Sequence, residues 1–272
     1  MRERLLELFR FRDLIWSLVA RNLKVRYKNS VLGILWSWLN PLFMMAVYTV
    51  VFTVMQSGSG QIPGRQFPAF VLCALLPWNF FSSSVTQSIG SIVENANLVK
   101  KVYFPREILP LSVVLSNLVN FGISLLVLLP IMFILRVRLT PWALLLPVII
   151  AIHICFTAGV AFLLSTLNVF YRDTKAIMDV GMMAWFFVTP IFYPISVLPR
   201  NKVILGVAVD VHRWTRILNP MASLVAAYQD VLYYGRLVGL DFLARTAATS
   251  LAVLVVGYFV FCRYSRVFGE EV

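Results

Sequence analysis

The chain has 272 residues, 60% of them hydrophobic and 13% charged, with a formal net charge of +12 at neutral pH. Soluble domains run nearer roughly 45–50% apolar and about 25% charged, so the composition excludes an ordinary soluble enzyme and describes an integral membrane protein. No soluble basic domain is present to hold nucleic acid, which leaves positive-inside bias and anionic lipid headgroups as the reason for the charge.

The N-terminal stretch MRERLLELFRFRDLIWSLVARNLKVRYKNS scatters charges along its length and lacks an uninterrupted apolar core before a small-residue cleavage site. It is therefore not expected to be a signal peptide. Asp13 is the expected N-cap of a helix reaching about Lys28. Ile15, Leu18, Val19 and Leu23 make an apolar stripe on it, and Arg21, Lys24 and Lys28 recur at spacings of 3 and 4. With Trp16 nearby, the pattern predicts a helix on the cytoplasmic face of the membrane.

No Asp, Glu, Lys or Arg occurs in 29–64, 66–93, 108–135, 139–171, 180–199 or 246–262. A crossing takes about 20 apolar residues, so the windows predict six transmembrane helices, too long and continuous for barrel strands. The expected spans are 31–55, 68–92, 108–134, 142–167, 178–194 and a last one ending near Cys262. The first carries Asn40-Pro41 in its body. The second has Pro77 followed by WNFFSSSVTQS, whose serines either bond the preceding turn's carbonyls or let helices pack closely.

Between the second and third spans, Ile92, Ala96, Val99 and Tyr103 fall on one stripe, and Glu94, Asn97 and Lys101 on another. That spacing predicts a short amphipathic helix parallel to the membrane. Pro105 suits the first turn of the third span, Phe104 is held extended before it, and Glu107 places negative charge at the helix N-terminus. Arg136, Arg138 and Pro141 mark the next turn, and NVFYRDTKAIMD (168–179) a second short inner segment. Residues 195–241 mix prolines, basic residues and apolar pieces. Within them 217–229 is charge-free but too short to cross, so NPMASLVAAYQDVLYYG predicts a helix dipping into or lying on the outer leaflet. With both termini inside, the inner segments hold 15 basic residues and the outer ones 9, which favours cytoplasmic termini.

Catalytic, cofactor-binding and metal sites are all expected to be none. There is no GxxxxGK[ST] phosphate loop, no GxSxG and no HExxH, and the histidines are His153 and His212. His153 lies mid-span and is either a packing or a functional group; His212 has no obvious carboxylate partner. Cys73, Cys155 and Cys262 fall in apolar windows without paired spacing, as small buried hydrophobes do. The carboxylate nearest a span is Asp179 at an inner end, which argues against coupling to an ion gradient. Trp78, Phe80 and Phe81 in the second span, and Trp185, Phe186, Phe187, Phe192 and Tyr193 in the fifth, either pack among helices and lipid or line a passage and stack on sugar rings.

Six stretches, in order, carry a resemblance: RNLKVRYKNSVLGILWSWLNPL (21–42), CALLPWNFFSSSV (73–85), KKVYFPREILPLS (100–112), LNVFYRDTK (167–175), TPIFYP (189–194) and NPMASLVAAYQDVLYYG (219–235). Together they resemble the permease subunits of bacterial ABC exporters for lipid-linked polysaccharides, the type-2 permeases of O-antigen, capsule and teichoic acid. The resemblance implies an all-α membrane protein, one transmembrane domain over 1–272 with a cytoplasmic interface helix in 1–30, five spans in 31–195, a gate segment in 196–241 and the sixth span and tail in 242–272. It implies a homodimer around one channel in the bacterial cytoplasmic membrane, with two copies of a separate ATPase subunit that bind the ATP and Mg. The implied coupling helix is about Glu94–Phe104, including Asn97, Lys100, Lys101 and Tyr103, with Arg106 and Glu107 at its exit. Phe170, Arg172 and Asp173, and Arg21, Lys24, Arg26 and Lys28 of the N-terminal helix, resemble further cytoplasmic contacts. Aromatics lining the channel are a feature of the family. Arg200, Lys202, Arg213 and Arg216 on the outer segment either meet lipid phosphates or an anionic polymer, or make ordinary headgroup contacts. The implied function is ATP-driven outward movement of a lipid-linked glycan. The alternatives are export of a drug or small lipid by the same fold, or a membrane-embedded transferase using the basic outer loop.

Overall fold

The computed structural model describes residues 10–28, 33–55, 66–199, 202–204 and 207–272. In chain order its helices are α1 (Arg12–Tyr27), α2 (Trp36–Met55), α3 (Phe67–Ile89), α4 (Ala96–Lys101), α5 (Ile108–Ile134), α6 (Leu146–Phe170), α7 (Thr174–Val188), α8 (Val211–Leu218), α9 (Pro220–Tyr228), α10 (Leu240–Tyr264) and α11 (Phe268–Glu271). Among the described residues, four helices are long and apolar enough to cross a membrane: α3, α5, α6 with its entering turn from Pro141, and α10. The α3 window is 78% buried and that of α10 17%, so α3 is the hub and α10 lies at the rim. The end of the bundle where α1, α4 and α11 gather is called inner, after the orientation the basic residues predict.

Helix ends follow local chemistry. α5 stops where Arg136 takes a left-handed φ of 58° and Val137 N–H returns to Met132 O at 2.9 Å, a Schellman-type close. α7 is shorter than the fifth expected span, which was to reach 194. Pro190 steers Thr189 out of the helical region (ψ 128°), and the chain turns sharply, Ile191 N–H donating to Thr189 O at 2.8 Å. Thr189, Pro190 and Ile191 are buried, which shields this irregular backbone inside protein. α1 begins at Arg12 with Phe11 in the N-cap position, so Asp13, the expected cap, lies instead in the first turn.

Two features correct the sequence reading. A three-residue hairpin, β1 (Lys202–Ile204) with β2 (Val207–Val209), pairs antiparallel in the register Val203↔Ala208, so the described chain is helical with one small exception. Its valines and isoleucine favour extended backbone. The second concerns the cover of α9, expected to dip into or lie on the outer leaflet: it is protein. Every residue from Met221 to Tyr228 is buried, against α3, α6 and α10. A charge-free helix reads the same whether lipid or protein covers it.

The most extensive helix pairing among the described residues is α6 against α10. It depends on Gly159 and Gly257, where backbones approach directly: a Cβ built on Gly159 would lie 2.6 Å from Leu254 N and Val253 C.

Candidate functional site

At the inner end the chain closes on itself through a second apolar core. Leu18 of α1, Ile92, Val99 and Phe104 around α4, Ile108 of α5, Phe162 and Val169 of α6, Phe261 of α10 and Phe268 of α11 pack together. α1 therefore spends its apolar stripe on protein, with Leu18 and Val19 buried and Trp16 left exposed. The connecting segment forms a helix only over Ala96–Lys101; turns precede it and extended chain follows. Its stripe splits accordingly. Ile92 and Val99 are buried, whereas Tyr103, beyond the helix, is 90% exposed. Glu94, Asn97, Lys100 and Lys101 are exposed beside it.

Several expected contact residues are brought together here. Glu94 Oε1 lies 3.8 Å from Lys175 Nζ, so the α4 segment faces the turn after Phe170. Phe170 packs on Tyr264 and Phe268, with ring centroids 5.5 and 6.4 Å away. Arg172 donates to Glu271 O at 3.3 Å, and Asp173 is exposed at the start of α7. Arg106 donates through Nη1 to Ser265 O, fastening the exit of the α4 segment to the end of α10. Glu107 does not face outward with it. Its carboxylate is buried and accepts from Cys262 Sγ at 3.5 Å. On α1, Arg21 donates to Asn95 Oδ1 at 3.0 Å, while Lys24 and Lys28 are exposed. The part of this platform the sequence reading missed is α11: Phe268 is fully buried, and its signal was a lone aromatic in a charged tail.

The expected channel aromatics divide into two groups. Trp78, Phe80 and Phe81 are buried within the chain. Phe80 stacks on Phe121 at 5.3 Å, Phe81 on Phe156 at 5.4 Å, and Trp185 meets Phe81 edge-on at 5.1 Å. His153 belongs to this cluster, edge-on to Phe80 at 4.9 Å with Nδ1 3.3 Å from Tyr228 OH, so α6 and α9 share a polar contact inside an aromatic cage. Phe186, half-buried, meets Trp78 of the cluster on one side and Phe192 and the exposed Phe187 on the other; Tyr193 is half-buried.

The profile of the ABC-2 type transporter family matches residues 13–233. The chain belongs to the ABC-2 type transporter family. It is 37% identical over 98% of both chains to the O-antigen export system permease protein RfbA of Myxococcus xanthus. It is also 33% identical to a protein of the same description from Klebsiella pneumoniae, covering 95% of this chain and 94% of that one. Similarity to the polysialic acid transport protein KpsM of Escherichia coli is lower, 21% over 87% of this chain and 89% of the relative. ABC-2 permeases are transport subunits, which agrees with a sequence that carries no phosphate loop.

In this ABC-2 permease the segment after α7 is built around Asn219. Its Oδ1 caps α9 by accepting from Ala222 N at 3.2 Å and also accepts from Trp185 Nε1 at 2.8 Å; its Nδ2 donates to Thr189 Oγ1 at 3.1 Å. Pro220 follows at the first helical position. Asn219→Ala removes the cap and strands a buried indole N–H, so a loss of about 2–3 kcal/mol is expected in thermal unfolding of the detergent-solubilised protein.

The expected phosphate-contacting cations are dispersed. Arg216 is half-buried with its guanidinium carbon 4.5 Å over the Phe242 ring, and burial lowers its pKa. Arg213 is exposed and its backbone N–H donates to Asp210 Oδ1 at 2.9 Å. Lys202 opens β1, and Arg200 lies outside the described residues.

Proposed function

We propose that this chain is the membrane half of an exporter that carries a lipid-linked polysaccharide of the O-antigen or capsule class outward, driven by two copies of a separate ATPase subunit. Relatives that match nearly its whole length are O-antigen export permeases, which supports this reading. The observation that carries the mechanical part is the seating of α4. Val99 and Phe104 are sunk in the inner core while Asn97, Lys100, Lys101 and Tyr103 stand exposed. A partner pressing on that face pushes a rigid element, and Phe104-Pro105 and Arg106 pass the displacement to α5 and α10. Exposed Tyr is a residue type that dominates interface energetics.

In this reading six spans form each subunit: the four apolar helices, α2, and α7 extended by the buried Thr189–Ile191 turn. Two subunits enclose the channel, with α9 and its flanks as the outer gate. Phe187, Phe186, Tyr193 and Trp185, the candidate aromatics not fully enclosed by their own chain, are the ones available to a passing glycan. Glu107 is a buried positioning group for the α5 start rather than a surface contact, and Arg106 is the fastening to α10.

The test is co-expression with a candidate ATPase and measurement of ATP hydrolysis in lipid, with and without lipid-linked glycan. Lys101→Glu combined with Tyr103→Ala is expected to leave insertion intact and weaken ATPase co-purification by about tenfold or more. Normal co-purification of that variant sinks the assignment of α4, and failure of the unaltered chain to hold any ATPase sinks the transporter reading.

A further inference from the structure

The α3 run WNFFSSSVTQS contributes more than serines to helix packing. Asn79, Ser83 and Gln87 recur every four residues along α3, and Ser91 continues the line into the following turn. Asn117, Asn120 and Ser124 of α5 lie opposite. With Arg26, Trp36 and Asn40, the side chains of Asn79, Ser83, Asn117, Asn120 and Ser124 line a cleft of about 360 Å³ among α1, α2, α3 and α5, while Gln87 and Ser91 line its continuation. A second cleft, of about 540 Å³, continues toward the inner end between α1 and the Ser91–Asn95 turn, with Arg21 and Asn22 on one wall and Glu94 and Asn95 on the other. Both volumes fall in the range of roughly 300–1,000 Å³ typical of small-ligand sites.

Arg26 belongs to both clefts. Its Nη2 donates to Gln87 Oε1 at 2.6 Å and Asn117 Oδ1 at 2.9 Å, and Asn117 Nδ2 donates to Gln87 Oε1 at 3.1 Å. A cation held by two amides thus divides an inner vestibule from a chamber within the membrane. Asn79 lies about 15 Å along α3 from its inner end at 1.5 Å per residue, halfway through a hydrocarbon core of about 30 Å. Amide groups presented to open space at that depth are costly unless something polar enters. Asn79 and Ser83 are half-buried and Asn40 is exposed, so these three groups are presented to the cleft rather than consumed by packing.

The chemistry selects a class of ligand. A guanidinium takes phosphate oxygens in a paired geometry. Amides and hydroxyls exchange hydrogen bonds with sugar hydroxyls, and the indole of Trp36 offers a face to sugar C–H groups. Resting on the export reading above, we propose that this cleft is the loading site for the phosphate and first sugar of the lipid carrier. The phosphate takes the Arg26 guanidinium from Gln87 and Asn117, opening the bridge between vestibule and chamber. The first sugar then lies against Asn79, Ser83 and Asn117. A phospholipid headgroup offers the same phosphate but lacks the sugar for the amides beyond Arg26.

The full-length chain in phosphatidylcholine nanodiscs is titrated with polyprenyl-diphosphate N-acetylglucosamine, with polyprenyl phosphate and phosphatidylglycerol as separate arms, reading the shift in melting temperature. Saturable stabilisation by the sugar lipid, unmatched by phosphatidylglycerol, is expected. Asn79→Leu and Ser83→Leu should each raise the half-saturating concentration of the sugar lipid about tenfold, and Arg26→Gln should do so for both polyprenyl lipids. Leu126→Ala, on an exposed face of α5, should bind as the unaltered chain does. Asn79→Gln and Ser83→Thr keep polarity and guard against misfolding. Unchanged binding in both leucine variants overturns the site while leaving the export reading standing. Equal stabilisation by phosphatidylglycerol reduces it to an ordinary lipid contact and also overturns it. No response to either polyprenyl lipid removes the site, and the ATPase co-purification then judges the export reading separately.

Discussion

Gly257→Leu is expected to abolish recovery of folded protein, and Gly257→Ala to lower its melting temperature sharply. A Cβ at Gly257 would run into the carbonyl oxygen of Gly159, and one at Gly159 into the α10 backbone at Leu254. Overpacking a core costs about 1–3 kcal/mol when side chains can adjust. Here the obstacle is main chain on both sides, so relief requires separating α6 from α10, whose contact is the most extensive among the described residues. Gly122, in the middle of α5, supplies the contrast, since nothing lies within 4 Å of a Cβ built there. Gly122→Ala should be neutral or stabilising by up to about 1 kcal/mol through reduced freedom of the unfolded chain. Fluorescence-detected size exclusion with a thermal ramp separates the two outcomes. A monodisperse Gly257→Leu protein with an unchanged melting temperature would show that the helices do not meet backbone to backbone.

Such a contact cannot be read from composition, because glycine is common in membrane helices for many reasons. What was legible depended on charge. The third expected span, 108–134, coincides with α5 because Glu107 and Arg136 bound its window. The fifth was placed too long since the window 180–199 is equally charge-free in the helix and in the irregular Thr189–Ile191 turn; Pro190 was the local signal that separates them. The protein cover of α9 was not legible for the same reason. At the inner end periodicity found a short helix near 96–101. The pairing of Glu94 with Lys175 and of Arg106 with Ser265 joins residues 81 and 159 positions apart, which no spacing rule reaches. The four-residue recurrence of Asn79, Ser83 and Gln87 was visible, but several membrane serines do bond the preceding turn: Ser112, Ser116 and Ser165 each donate to the carbonyl three residues back. Only the facing amides of α5 set the cleft apart from that habit.

Arg236→Ala is expected to destabilise the outer segment by about 1–3 kcal/mol, the cost of leaving a buried carboxylate without its partner when that partner is itself largely exposed to solvent. Asp230, in the π-helical turn Gln229–Tyr233 after α9, is buried with its carboxylate 2.6 Å from Arg236 Nη2 and 2.8 Å from Nε. Arg236 N–H also donates to Asp230 O at 2.9 Å, and Gly235 makes the sharp return at φ 60° against Thr140. Burial pushes the Asp230 carboxyl above its ordinary value, while its hydrogen bonds and charge attraction to Arg236, and the charge of Arg216, pull it back. Removing Arg236 leaves burial less opposed and raises it further. A carboxyl whose folded pKa lies above its unfolded one binds the proton more tightly when folded. Its contribution to stability is present at low pH and is lost as pH rises through the folded pKa. Arg236→Ala should therefore melt far below the unaltered chain at pH 8 and recover part of the difference at pH 5. Adding Asp230→Asn to Arg236→Ala removes the stranded charge, so the double variant should be more stable at pH 8 than Arg236→Ala alone and show little pH dependence from this site. Equal melting of single and double variants at pH 8 would show that the pair contributes nothing to the segment's stability.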